Sequence, residues 1–189
     1  MTSQPVKILG FAGSLRKGSY NRSLLRTASE QAPEGTAVEI FDLEGIPIFN
    51  QDLEASMPPR VNDFKAKIKA ADALLIVTPE HNFSVPGMLK NAIDWASRPP
   101  RDNSFAGKPV AIMSASTGML GGSRAQYHLR QMCVFLDMHP VNKPEVFVTF
   151  AGQKFDEEGR LTDEKTLEFI KALMSSLAAW TERLKTTGV

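Results

Sequence analysis

Apolar residues along the chain fall into short, nearly unbroken runs separated by longer stretches with helical spacing. The runs are Ile8–Ala12, Ala73–Val77, Val110–Met113 and Val146–Phe150, with a weaker one at Val38–Phe41. Unbroken apolar character over about four to six residues suits a strand buried on both faces, the form parallel strands take when helices cover a sheet. Between the runs, Val61, Phe64 and Ile68 repeat at three and four, as do Leu89, Ala92, Ile93 and Ala96, and then Ala125, Leu129, Met132 and Leu136. Leu24, Leu25 and Ala28 make a shorter stripe after Asn21. Leu167, Ile170, Met174, Leu177 and Leu184 make a longer one, after a capped start at Thr162-Asp163-Glu164.

Strands that alternate with helices predict an α/β domain with a parallel sheet between two helical layers and right-handed crossovers. Five strands in a chain of 189 residues fit a flavodoxin-like three-layer sandwich, a five-stranded parallel sheet in the order 2-1-3-4-5, as a single domain over residues 1–189. The Pro- and Gly-bearing stretches Glu44–Arg60 and Ser97–Lys108 read as local loops. In such sheets a ligand lies outside the carboxyl ends of the strands, where strand order reverses. That directs attention to the loops after Ala12, Val77 and Met113.

Composition narrows the chemistry. Twenty-two Lys and Arg against 21 Asp and Glu give a net charge of +1, with no global pull toward nucleic acid or anionic lipid. One cysteine makes no intramolecular disulfide, and three histidines argue against a multi-histidine metal centre, so no metal site is expected. The polar start Met1–Pro5 lacks the basic, then apolar, build of a secretory signal, and no apolar stretch is long enough to span a bilayer. The expectation is a soluble, cytoplasmic protein.

The first loop, Gly13 to Ser23, follows a strand and opens a helix. It lacks the Gly-Lys-Ser/Thr of a nucleoside-triphosphate loop and the spacing of a dinucleotide fingerprint. Ser14, Ser19 and Asn21 as donors, backbone N–H groups at the helix start, and the Arg16 fork suit a phosphate monoester. The same residues also make an ordinary capped turn. The second loop, Thr78 to Gly87, sets Glu80, His81, Asn82 and Phe83 between prolines, a rigid wall for a flat heterocycle. His81 and Glu80 taken singly read as plain loop residues. The third, Ser114 to Arg124, is rich in small residues that let another body approach the backbone, or that simply turn.

Taken together, Gly13-Ser14-Leu15-Arg16 through Asn21, Pro79-Glu80-His81-Asn82 through Trp95, and Ser114–Gly122 resemble the NADPH-dependent FMN reductase family, which includes quinone, chromate and azo-dye reductases. The resemblance runs from about Val6 to Val148, and its middle block is the most specific part. It implies FMN as cofactor and NADPH or NADH as co-substrate. The implied reaction is a two-electron, ping-pong hydride mechanism on flavin N5, with no protein side chain as general acid or base. Quinones are the implied acceptors, with chromate, azo compounds or free flavin beside them.

The family pattern puts the FMN phosphate on Ser14, Arg16, Ser19 and Asn21, with a backbone contact from Leu15. It puts the isoalloxazine ring against Pro79, Glu80, His81, Asn82 and Phe83, largely through their backbone groups, and a third wall at Ser114, Thr117, Gly118 and Gly121. The family commonly has tyrosine at the position of His81, a departure that bears on ring packing and acceptor choice. A homodimer or homotetramer is implied as well, with a neighbouring subunit helping to cover the flavin. Two rival functions stand beside this one, a flavodoxin-type electron carrier and a non-catalytic sensor of a phosphorylated ligand. The near-neutral charge and the Gly-Ser-Leu-Arg loop count against the carrier. Cys133 reads as a buried small hydrophobe, and Arg124 and Tyr127 as a solvated face or a subunit contact.

Overall fold

A computed structural model describes residues 4–187. In chain order the elements are β1 (Val6–Ala12), α1 (Tyr20–Glu30), β2 (Thr36–Phe41), α2 (Pro59–Ala70), β3 (Ala73–Val77), α3 (Gly87–Ala96), β4 (Pro109–Ala115), α4 (Ser123–Leu136), β5 (His139–Pro140), β6 (Val146–Val148) and α5 (Glu164–Thr187). The strands form one sheet in the order β2-β1-β3-β4-β5, with β6 also on β4, and every pair is parallel. The expected strand order is therefore present.

Alternation of side chains across the pleat resolves the apolar runs into two cores. Leu9, Phe11, Leu74, Ile76 and Ile112 face α2, α3 and α4, where Phe64, Ile68, Leu89, Ile93 and Leu129 meet them. Ile8, Leu75, Val77 and Met113 face α1 and α5, against Leu24, Leu25, Ile170, Met174 and Leu177. Strands β3 and β4 are buried at every position, whereas the edge strand β2 is mostly exposed, which is why its run was weaker in the sequence. The expected cap at Asp163 is real: its carboxylate accepts the Thr166 N–H at 2.9 Å, which opens α5.

The last strand differs from expectation. The edge of β4 is covered in two pieces, β5 beside Pro109 and Val110 and β6 beside Met113 to Ala115, and the chain leaves the sheet between them. The run Val146–Phe150 ends as strand at Val148, because Phe150 takes a left-handed φ of 49° and starts a short 3-10 turn over Ala151–Gln153. His139–Pro140 carries no apolar run, so its pairing left no trace in the hydrophobic pattern. The Glu44–Arg60 stretch is a loop as far as Pro58, where α2 takes over, with a 3-10 turn at Gln51–Ser56, and it is tied to α3. Asn91 accepts the Phe49 N–H and donates to the Pro47 carbonyl, which the buried Trp95 indole also reaches at 2.8 Å. Among the described residues no helix is long and apolar enough to cross a membrane.

Candidate functional site

Ala12 lies level with Val77, and Val77 with Met113, so β1, β3 and β4 end on one rim. Gly13 N–H donates to Val77 O at 2.8 Å and Thr78 N–H to Met113 O at 3.0 Å, which carries the ladder one residue further before the loops diverge. The loops singled out in the sequence therefore stand side by side.

After β1 the chain turns tightly, with Ser19 N–H donating to Arg16 O at 3.1 Å, and α1 begins. The N–H groups of Tyr20, Asn21 and Arg22 have no carbonyl partner among the described residues, as the first turn of a helix requires. Ser19 occupies the cap position, is buried, and makes no capping bond with its own side chain. No acidic residue stands in that turn. Arg16 is exposed, its guanidinium carbon 5.8 Å from the centre of the Tyr20 ring. Unpartnered donors beside a cation, with no acidic residue in the turn itself, are the chemistry a phosphate group needs, so this loop fits the phosphate of FMN. A hollow of about 190 Å³ on the β2 side, where Arg22 pairs with Asp42 at 2.8 Å, is too small for a flavin ring.

The Asn21 side chain is tied inward: Nδ2 donates to Ala115 O at 2.9 Å and Oδ1 accepts Ala115 N–H at 2.8 Å. The side chain pins the start of α1 to the end of β4, and its backbone N–H and the second hydrogen of Nδ2 carry no such bond among the described residues.

The loop after β3 closes as a two-residue hairpin. His81 and Ser84 exchange backbone hydrogen bonds at 3.0 Å in both directions, around Asn82 and Phe83 at φ 50° and 66°. Paired left-handed residues match the twist such a hairpin needs, a conformation that asparagine tolerates and phenylalanine resists. Phe83 stands 63% exposed at the tip, His81 is exposed beside it, and Pro79 is half-buried at the base. Glu80 lines the cleft between the second and third loops, and its carboxylate is engaged by α4. Its side chain is 9% exposed, and its oxygens accept from Arg124 Nε at 2.6 Å and from the Arg124 backbone N–H at 3.0 Å.

In the third loop the expected wall divides. Ser114 is fully buried, donates to Gly121 O at 2.6 Å and accepts from Gln126 Nε2 at 2.7 Å, so it holds the loop from beneath. Gly121 and Gly122 take φ of 57° and 86°, and a Cβ on them would lie 2.9 Å from Phe147 C and 2.7 Å from Ser114 Cβ. Both glycines serve the turn and its packing. Thr117 and Gly118 remain exposed on the rim. Between the second and third loops lies a cleft of about 500 Å³, lined by Asn82, Phe83, Ser116, Gly118, Met119 and Arg124 among others. That volume falls within the range of small-molecule sites.

The sequence reading missed Gln126 and underused Arg124. Gln126 is a fully buried polar residue on an otherwise apolar helix face, and nothing in the periodicity marks it. Arg124 lies with its guanidinium carbon 3.6 Å from the Phe83 ring centre, a contact between residues remote in sequence.

Residues 6–153 match the family model described as NADPH-dependent FMN reductase. An NAD(P)H-dependent FMN reductase of Pseudomonas aeruginosa is 52% identical, over 97% of this chain and 99% of that protein. An NAD(P)H:quinone oxidoreductase of Solanum tuberosum is 49% identical, over 98% of each. Among solved structures, the flavoenzyme NAD(P)H:(acceptor) oxidoreductase FerB of Paracoccus denitrificans superposes with a TM-score of 0.85 at 35% identity, covering 94% of this chain and 97% of that one.

Proposed function

The chain belongs to the NADPH-dependent FMN reductase family, and on that footing we propose that it is an FMN-containing NAD(P)H:quinone oxidoreductase. The observation that carries the proposal is the row of unpartnered N–H groups at Tyr20, Asn21 and Arg22 on the same sheet rim as the cleft between the second and third loops. When bound, FMN supplies the two-electron chemistry, taking electrons from NADPH or NADH and giving them to a quinone. The protein's own residues bind and orient. Ser14, Ser19, Arg16 and the backbone of Leu15 and Asn21 hold the phosphate. Asn82, Phe83, Thr117 and Gly118 border the ring, and His81 stands at its margin. Phe83, Met119 and Leu120 set apolar surface at the cleft mouth, which favours a flat, weakly polar acceptor and thins the water around it. No side chain on the rim is assigned a proton-transfer role.

The protein acts as a homodimer or homotetramer in this proposal. On α4, Tyr127, Val134 and Phe135 share one outward face, and Val134 and Phe135 are 84% and 88% exposed. Apolar side chains so open on an ordered helix suit burial against a second copy. Phe135→Asp is expected to lower the mass in sedimentation, and an unchanged mass would remove this face from the interface. A single buried cysteine suits a reducing, cytoplasmic setting. The activity is tested by steady-state oxidation of NADPH with a benzoquinone and no other protein present. Turnover is the expected result, whereas a flavin-loaded protein without turnover would be an electron carrier.

A further inference from the structure

We infer that Glu80 is a positioning residue that sets the separation of the two walls of the cleft. This rests on the FMN reading above. The carboxylate is the N-terminal cap of a helix that has no cap of its own, because α4 follows Gly122, which brings no side chain. Glu80 Oε2 fills that place from another loop, accepting the N–H groups of Arg124 at 3.0 Å and Ala125 at 3.4 Å. An anion at a helix start is favoured by the helix dipole as well as by the hydrogen bonds.

The other oxygen closes a circuit. Glu80 Oε1 accepts Arg124 Nε at 2.6 Å, and the Arg124 guanidinium lies over the Phe83 ring, its central carbon 3.6 Å from the ring centre. Phe83 sits in the left-handed turn of the same loop that supplied Glu80. The path runs from the base of the second loop, across the cleft to the helix that ends the third loop, and back to the tip of the second. A strained aromatic residue persists only where its surroundings hold it, and this stack supplies the hold. Both carboxylate oxygens are engaged and the side chain is nearly buried, which suits a residue that holds its neighbours in place.

Wild type, Glu80→Gln, Glu80→Ala and Arg124→Ala are compared as flavin-loaded proteins. The readouts are FMN titration, the visible circular dichroism of bound flavin, and the pH profile of NADPH–benzoquinone turnover. Glutamine keeps one oxygen for the helix N–H groups but sets an NH2 donor against Arg124 Nε, so Glu80→Gln should lose less FMN affinity than Glu80→Ala, change the flavin dichroism in the same sense as Arg124→Ala, and keep its pH profile. Glu80→Ala should lose about tenfold or more in FMN affinity, the scale of a charge-assisted hydrogen bond, with a changed flavin dichroism. Arg124→Ala, which leaves the helix cap in place, should change the dichroism in the same sense and so decides the matter even where Glu80→Ala folds poorly. Wild-type affinity and dichroism in both alanine variants would overturn the inference. So would loss of one limb of the pH profile in Glu80→Gln, which would make Glu80 a proton donor. Failure of wild type to take up FMN would instead overturn the reading beneath it.

Discussion

Asn21→Ala separates a clamp from a ligand. Asn21 is 3% exposed and bonds both backbone groups of Ala115, donating at 2.9 Å and accepting at 2.8 Å. Truncation leaves the Ala115 N–H and C=O unpartnered inside the protein, at roughly 1–3 kcal/mol for each group. Because the two losses share one site they do not simply add, and about 2–4 kcal/mol is expected in total. For a chain of this size each kcal/mol moves the melting temperature by about 2–4 °C, so the protein freed of FMN should melt about 5–15 °C below wild type. FMN binding should weaken only as far as the start of α1 loosens. The assay pairs thermal denaturation without flavin and an FMN titration. A melting temperature within about 1 °C of wild type together with an affinity loss of about tenfold or more would refute this reasoning and return the side chain to the phosphate.

Other expectations follow from neighbouring contacts. Arg16→Ala removes a charge-assisted contact to the phosphate of about 1.5–3 kcal/mol, so FMN affinity should fall roughly ten- to over a hundredfold in titration while the melting temperature without flavin stays put. Lys65 is buried on α2, and its Nζ donates to the carbonyls of Arg98 and Asp102, the latter at 2.9 Å. Lys65→Met should cost about 1–3 kcal/mol in urea denaturation with FMN affinity unchanged, since that loop lies before β4 and away from the rim. Burial pushes the Cys133 thiol up from 9.0 to about 11, so between those values the unfolded chain has lost a proton the native one keeps. Stability should therefore fall as pH rises from 9 to 11, and Cys133→Val should flatten that fall in denaturation measured across the range.

Much of the framework was legible because burial writes itself into the chain. Runs such as Ala73–Val77 are apolar at every position since helices cover both faces of β3. Where the sheet is thinly covered or broken, as at β2 and at the two-residue β5, the signal weakens or vanishes. The site was legible as loops and less so as contacts. Residue type located Ser19, Arg16 and Phe83 on the rim, but it did not distinguish a polar side chain facing outward from one spent inward. Asn21, Glu80 and Ser114 are all spent on backbone or side-chain groups 7 to 94 residues away. Such pairings depend on how the loops meet in space. The motif from Lys90 to Trp95 divides similarly, since Asn91 and Trp95 fasten the Pro47–Phe49 segment instead of lining the cleft.

The central claim is that FMN is held by the loop after β1 and lies toward the cleft between the other two. It is met most directly by titrating the flavin-free protein with FMN and following flavin fluorescence, for wild type and Arg16→Ala in parallel. One FMN per chain should bind to wild type, with inorganic phosphate competing and Arg16→Ala binding at least about tenfold more weakly. No uptake by wild type, or uptake that neither phosphate nor Arg16→Ala alters, would contradict it.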